Sequence, residues 1–200
     1  DPREGGPYRD TIWQRLLGPA HVEIAFRTAA RIDPKARLVL NDFNFEEPGP
    51  GPAARRKIAL DLCRRLKDKG ISVHGIGLQA HLYADKPLDI DGLQGFMVEL
   101  GKLDLDVEIT ELDVIDWKLP ADTATRDRAA ASLVGTFLDA IVSVRRPKAI
   151  VTWGLSDRYS WVHETFPRKD GARARPLPLD ADFRPKPMMA VLDRYRRSQS

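Results

Sequence analysis

The segment Ile109-Thr110-Glu111-Leu112-Asp113 places two carboxylates two residues apart at the end of an apolar, β-branched stretch. On a strand the two side chains project from one side. An imidazole set between them would hold one carboxylate in position and tune its ionisation. His81, at the end of the preceding apolar stretch, can supply that ring. Glu111 is therefore the leading candidate for catalysis, with His81 and Asp113 beside it. The same three residues could equally make a structural ion pair at a strand end, and position alone does not choose. Trp153 and Trp161 flank Gly154 and Asp157 after a further apolar stretch. Aromatic faces there suit the apolar faces of sugar rings, although either ring could be core. Asn41, Asp42, Asn44 and Gln79 add hydrogen-bonding groups, and Asn and Asp also start turns. Trp13 is expected to pack on the sheet from a helix, and Trp117 to lie in a loop. His21 and His74 are expected to do no chemistry, and the role of His163 is open. No His, Cys and carboxylate group has metal-ligand spacing.

These residues need elements to hold them. Residues 9–30 read as a helix with a break at Gly18-Pro19, and Asp33-Pro34 stops it. Residues 36–40 read as a buried strand, followed by a Pro- and Gly-rich loop at 46–52 that reads as a flexible rim carrying Glu46 and Glu47. Residues 53–69 form an amphipathic helix that Gly70 ends. Strands are expected at 73–78, 107–109 and 149–152, and helices at 90–100, 123–144 and 187–197. The order is strand, polar residues, loop, helix, four times over, which implies a parallel sheet with helical crossovers. A doubly wound sheet would carry a glycine-rich phosphate turn after its first strand, and none is present. In a (β/α)8 barrel the functional side chains sit at the C-terminal ends of several strands. That is where Asn41, Gln79, His81, Glu111, Asp113 and Trp153 fall, so the barrel is the expected fold. A complete barrel needs eight strands and typically ~250 residues, whereas this chain of 200 residues supplies four.

Composition excludes little. Hydrophobic residues are 42% and charged residues 30%, as in ordinary globular domains. A net charge of +3, without basic clusters interleaved with aromatics, gives no sign of nucleic-acid binding. No stretch is apolar and long enough to span a membrane. The late basic residues, from Arg168 to Arg197, read as a solvated tail and helix face. The single cysteine, Cys63, allows no internal disulfide and is expected to be a small buried hydrophobe.

The motifs together resemble glycoside hydrolase family 10, the xylanases with a (β/α)8 fold. Arg9-Asp10-Thr11-Ile12-Trp13 and Ala25-Phe26 look like the family's fourth helix. Asn41-Asp42-Phe43-Asn44 resembles its Asn-Asp-Tyr-Asn, and Gly75-Ile76-Gly77-Leu78-Gln79-Ala80-His81 its Gly-Ile-Gly-Leu-Gln-Ser/Ala-His. Ile109-Thr110-Glu111-Leu112-Asp113 is similar to the nucleophile segment. Trp153-Gly154, Asp157 and Ser160-Trp161 are similar to the eighth-strand segment, and Pro185-Lys186-Pro187 to the start of the last helix. The tail departs from the pattern: Pro176-Leu177-Pro178-Leu179-Asp180 only loosely resembles Pro-Leu-Leu-Phe-Asp.

The resemblance implies an α/β chain made of strands 5–8 of a (β/α)8 TIM barrel and their helices. It implies a retaining endo-1,4-β-xylanase in which Glu111 is the nucleophile, His81 hydrogen-bonds it and Asp113 holds His81. Gln79, Asn41, Trp153 and Trp161 would bind the substrate, xylan or a xylo-oligosaccharide. No metal or other cofactor is implied, and the location would be secreted or periplasmic. The family's acid/base glutamate ends strand four in a segment like Trp-Asp-Val-Val-Asn-Glu, and no such segment occurs here. By the resemblance, Asp1-Pro2-Arg3 follows it directly. Residues 1–200 would then be a partial catalytic domain without strands 1–4, its partner the other half of the barrel or a second copy of itself. The alternative is a catalytically inactive carbohydrate-binding remnant.

Overall fold

The fold was analysed in a computed structural model that describes residues 7–197. Asp1-Pro2-Arg3 therefore lies outside the described residues. The first helical stretch is two helices, α1 (Ile12–Leu17) and α2 (Ala20–Ile32). Thr11 caps α1 by accepting from Gln14 N at 3.2 Å. Gly18, at φ +58°, closes it with its N–H on Gln14 O. Strand β1 (Val39–Asp42) follows, then α3 (Pro50–Asp68). The expected loop over 46–52 is shorter than its Pro and Gly content suggests. Pro50 and Pro52 occupy the first turn of α3, where a missing N–H breaks no helical bond.

The remaining elements are β2 (Gly75–Leu78), β3 (His81–Tyr83), α4 (Ile90–Lys102), β4 (Asp106–Ile115), α5 (Thr123–Val142), β5 (Ala149–Thr152), a 3-10 turn (Asp157–Tyr159), α6 (Val162–Thr165) and α7 (Pro187–Arg197). All strand pairings are parallel: β1 with β2, β2 with β4, and β4 with β5. Strand β3 pairs with β4 further along, continuing the lane of β2. There are thus four strand lanes, as expected, but β1 begins three residues late and β4 runs well past Ile109. Asn41, Asp42, Glu111 and Asp113 consequently lie within strands and not beyond their ends.

One face of the sheet is packed. Ile76, Leu78, Val107 and Ile109 are fully buried against Leu66 of α3, Met97 of α4 and Phe137 and Leu138 of α5. Each such side chain contributes about 1.5–3 kcal/mol on burial, so these three helices hold the sheet. Cys63 of α3 is in this core, and burial pushes its thiol up to about 12. The other face, carrying Asn41, Thr110 and Val151, is open, and Val151 is half exposed. Neither α1 nor α2 has a buried residue. Trp13, expected against the sheet, is 62% exposed.

The late basic residues are not all solvated. Arg168 and Lys186 are buried. The Arg168 guanidinium donates to Asp116 O at 2.7 Å and Leu119 O at 2.9 Å. Lys186 Nζ donates to Asp157 Oδ2 at 2.9 Å and Arg175 O at 2.8 Å. Arg168 thereby ties the irregular segment after β5 to the end of β4, and Lys186 ties that segment to itself, work that charge alone in the sequence does not reveal. Lys186→Met should cost about 3 kcal/mol by leaving Asp157 buried without its hydrogen-bonded cation, with only Arg175 facing it at 4.0 Å. Chemical denaturation would measure this. Adding Asp157→Asn should restore much of the loss, since the amide oxygen can still accept from Leu177 N, whose bond to Asp157 Oδ1 is 2.9 Å.

Candidate active site

The site forms where β4 gains a residue over both neighbours. Between the pairs Leu78↔Ile109 and His81↔Asp113, three steps on the β2–β3 lane oppose four on β4. On the other side, Ile109↔Ile150 and Leu112↔Thr152 set three steps on β4 against two on β5. The bulge falls at Thr110 and Glu111, and bulges of this kind re-aim side chains. Ala80, at φ +61°, makes the matching kink in the β2–β3 lane, a conformation rare for a residue with a Cβ. Gly77 allows a close approach. A Cβ there would lie 2.5 Å from Asn41 Oδ1 and 2.9 Å from Thr110 Cγ2, where Thr110 Oγ1 donates to Asn41 Oδ1 at 2.7 Å.

Glu111 is held at both oxygens. Asn41 Nδ2 donates to Oε1 at 2.8 Å, and His81 Nε2 lies 3.3 Å from Oε2. Its backbone N–H donates to Gln79 O at 3.0 Å. The other ring nitrogen, His81 Nδ1, is 2.8 Å from Asp113 Oδ1, and Trp161 Nε1 donates to Asp113 Oδ2 at 2.7 Å. Asp113 has no exposed surface. Burial raises its pKa, against the opposing pull of His81 and Trp161. Burial of the His81 ring works against its charge, yet Asp113 and then Glu111 outweigh it and the imidazole is raised. The arrangement is a carboxylate oriented by an amide and an imidazole, with a buried carboxylate behind.

The two tryptophans differ. The Trp161 ring packs edge-on against His81 with centroids 5.0 Å apart, its N–H spent on Asp113. Trp153 meets His81 at 6.4 Å and is 49% exposed, so its face is open at the site. Gln79 gives its carbonyl to Glu111 and lines a cleft of about 290 Å³ with Tyr8, Phe43 and Arg55. The links Asn41–Glu111, Thr110–Asn41 and Trp161–Asp113 were not foreseen from sequence. The register that creates them depends on a bulge that no local pattern marks. His163, whose role was open, braces the post-β5 segment: its ring bonds Asp157 O and accepts from Ala174 N.

Glu46 departs most from expectation. It is no rim residue but 2% exposed. Neither carboxyl oxygen has a hydrogen-bond partner among the described residues. Burial pushes it up to about 7; its own amide draws it down, Glu47 adds to the rise, and His81 and the Phe45 amide oppose it.

The profile of glycosyl hydrolase family 10 matches residues 1–194. The chain is 35% identical to endo-1,4-beta-xylanase 5 of Pyricularia oryzae over 187 residues, 92% of this chain and 43% of that protein. It is 35% identical to endo-1,4-beta-xylanase A of Humicola insolens over 204 residues, covering 98% of this chain and 51% of the relative. Among solved structures, native xylanase 10B from Thermotoga maritima superposes with a TM-score of 0.82 at 31% identity, covering 96% of this chain and 56% of that one. Xylanase 10B from Thermotoga petrophila in complex with xylobiose does so with a TM-score of 0.82 at 30% identity, over 96% and 56%. The chain thus spans about half the length of these relatives, and its parallel sheet is part of their TIM barrel.

The Glu46 environment predicts a pH signature in stability. Its folded pKa lies above the ordinary value of 4.5, so the fold favours the protonated acid. That contribution is complete below about pH 4.5 and is lost as pH rises through about 7. Glu46→Gln mimics the neutral acid and cannot ionise. Relative to this variant, the wild type should lose up to about 3 kcal/mol between about pH 5 and 8. Urea unfolding at the two pH values measures the difference, and parallel behaviour of the two proteins would count against the assignment.

Proposed function

The chain belongs to glycosyl hydrolase family 10, and on that premise we propose that it is the nucleophile-bearing part of an endo-1,4-β-xylanase. The observation that carries the reading is Glu111, a carboxylate set by two polar side chains beside an exposed indole. In the proposed reaction Glu111 attacks the anomeric carbon of an internal xylosyl unit, and the glycosidic C–O bond breaks. The departing oxygen takes a proton from a second carboxylic acid, leaving a glycosyl ester on Glu111. The same group then takes a proton from water, which attacks the anomeric carbon, breaks its bond to the Glu111 oxygen and releases Glu111, so configuration is retained.

Asn41 and His81 keep Glu111 aimed through the two steps. Asp113 fixes His81, while Asn41, Gln79, Trp153 and Trp161 bind the sugars around the cleaved bond. Residues 1–200 are a partial catalytic domain in this reading, with strands 1–4 and the acid/base outside it. Because xylan is a polymer, we place the activity outside the cytoplasm, secreted or periplasmic. A second reading, a carbohydrate-binding remnant without turnover, draws on the open face of Trp153, since stacking a sugar needs no acid/base.

The two readings separate on a substrate that needs no acid. With an activated aryl β-xyloside and azide, a positioned Glu111 should give the retained β-xylosyl azide by double displacement, and Glu111→Ala should abolish that anomer, azide then giving at most the inverted α product by direct displacement. Xylan itself should react slower by about 10²–10⁴-fold for want of acid catalysis. No Glu111-dependent azide product would leave the remnant standing.

The open edges of β1 and β5 bear on the partner. A groove of about 450 Å³ beside β5 is lined by Ile150, Thr152 and Leu155 with Met189, Leu192 and Tyr195 of α7. Four further strands of a barrel would cover both edges and this groove. Alone, the chain should self-associate through these edges; sedimentation reads this, with a thermal scan to show that the fold is kept. A monomer with a sharp transition would refute it.

A further inference from the structure

We propose that Thr110 and Gly77 are positioning residues for Glu111, acting through Asn41. The inference rests on the nucleophile reading above and extends it to two residues to which that reading gives no part. Asn41 and Glu111 are on strands that are not neighbours. Strand β1 pairs with β2, and β2 with β4, so the lane of β2 lies between them. Asn41 stands opposite Gly77, and Gly77 in turn opposite Glu108. The Asn41 side chain therefore reaches β4 only by crossing over Gly77.

Gly77 leaves that crossing open. Its φ is not in the left-handed region, so glycine is required here by space and not by backbone conformation. A Cβ would meet Asn41 Oδ1 on one side and Thr110 Cγ2 on the other, both inside 3.0 Å. The side chains of β1 and β4 thus meet directly above a strand that offers no side chain of its own.

Thr110 fixes the crossing from the far side. Its hydroxyl has one proton. Asn41 Oδ1 is the nearer acceptor at 2.7 Å, against 3.3 Å for Leu78 O. The Asn41 amide is then held at both ends, its oxygen by Thr110 and its Nδ2 by Glu111 Oε1 at 2.8 Å. These are the two bonds that its side chain makes among the described residues. Asn41 lies exposed on the open face of the sheet, so no packing replaces a lost bond. On a regular strand Thr110 and Glu111 would project to opposite faces. Both nevertheless reach the same amide, and the bulge that falls at these two residues is what allows it. Thr110 converts the bulge into the aim of Glu111.

The test is a double-mutant cycle on the 200-residue chain. Thr110→Val removes the hydroxyl at nearly constant shape, and Thr110→Ser keeps it. The Glu111-dependent rate of β-xylosyl azide formation should fall about 3–10-fold in Thr110→Val, the worth of one hydrogen bond. Thr110→Ser should restore it. In an Asn41→Ala background Thr110→Val should have no further effect, because Thr110 acts through Asn41. No loss in the first background, or an equal loss in both, overturns the proposal. A second readout needs no turnover. By NMR, Glu111→Gln should move the Asn41 side-chain amide signals, and Thr110→Val should remove that response. An undiminished response overturns the proposal. Should Thr110→Val fail to fold, Thr110→Ala carries the same tests. A response lost in Thr110→Val and kept in Thr110→Ser, with no Glu111-dependent azide product, would leave the positioning inference standing and remove only the nucleophile reading.

Discussion

A carboxylate with no exposed surface, Asp113, imposes conditions on everything around it. An unpaired buried carboxylate is costly enough that proteins neutralise it or surround it with donors. Asp113 takes both courses in part: burial raises its pKa, and each oxygen accepts from an N–H, His81 on one side and Trp161 on the other. The first bond turns the imidazole so that its second nitrogen faces Glu111. The second draws the segment after β5 across the site, and that segment must be held rigid. Lys186, Arg168 and His163 do this from buried or half-buried positions. The orientation of one largely buried glutamate thus depends on a chain of contacts running to the start of α7.

The sheet that carries this chain is unequal in its two faces. The helix-covered face is dry and close-packed, and its residues are buried completely. The opposite face holds glycine at Gly77 and polar groups at Asn41 and Thr110, an arrangement suited to substrate contact and not to packing. The site is built on the open face, at the end of the strands where β4 bulges. Rigidity comes from the covered side and access from the uncovered one.

Much of this was legible. Apolar runs and their spacing gave four strand lanes and the helices between them, because burial on one or both faces leaves a periodic mark. The choice of Glu111, His81 and Asp113 as neighbours followed from their positions at successive strand ends, and the structure does bring them together. Three things left no local mark. The start of α3 was masked by prolines, which read as loop but also fit a first helical turn. The bulge at Thr110 and Glu111 is a relation between strands, so no single strand displays it. Glu46, Arg168 and Lys186 were assigned to solvent because charge is usually exposed. Their burial is set by partners or enclosure that only the tertiary fold assembles.

The polar groups that hold Glu111 come from β1, β3, β4 and the segment after β5, all within the described residues. A carboxylate held in this way can be set by half a barrel. Its counterpart cannot, because a retaining pair works only with its carboxyl groups about 5–5.5 Å apart. In the proposed mechanism the acid would stand on the strand that closes against β1, so that separation is fixed by barrel closure and not by any local contact. The two halves of the chemistry then have different physical origins. Aim is encoded in a few short hydrogen bonds around Glu111, whereas proton delivery depends on the register of two sheet edges. Asn41 of β1 belongs to both, so a substitution that loosens the β1 edge weakens the aim of Glu111 and impairs proton delivery together.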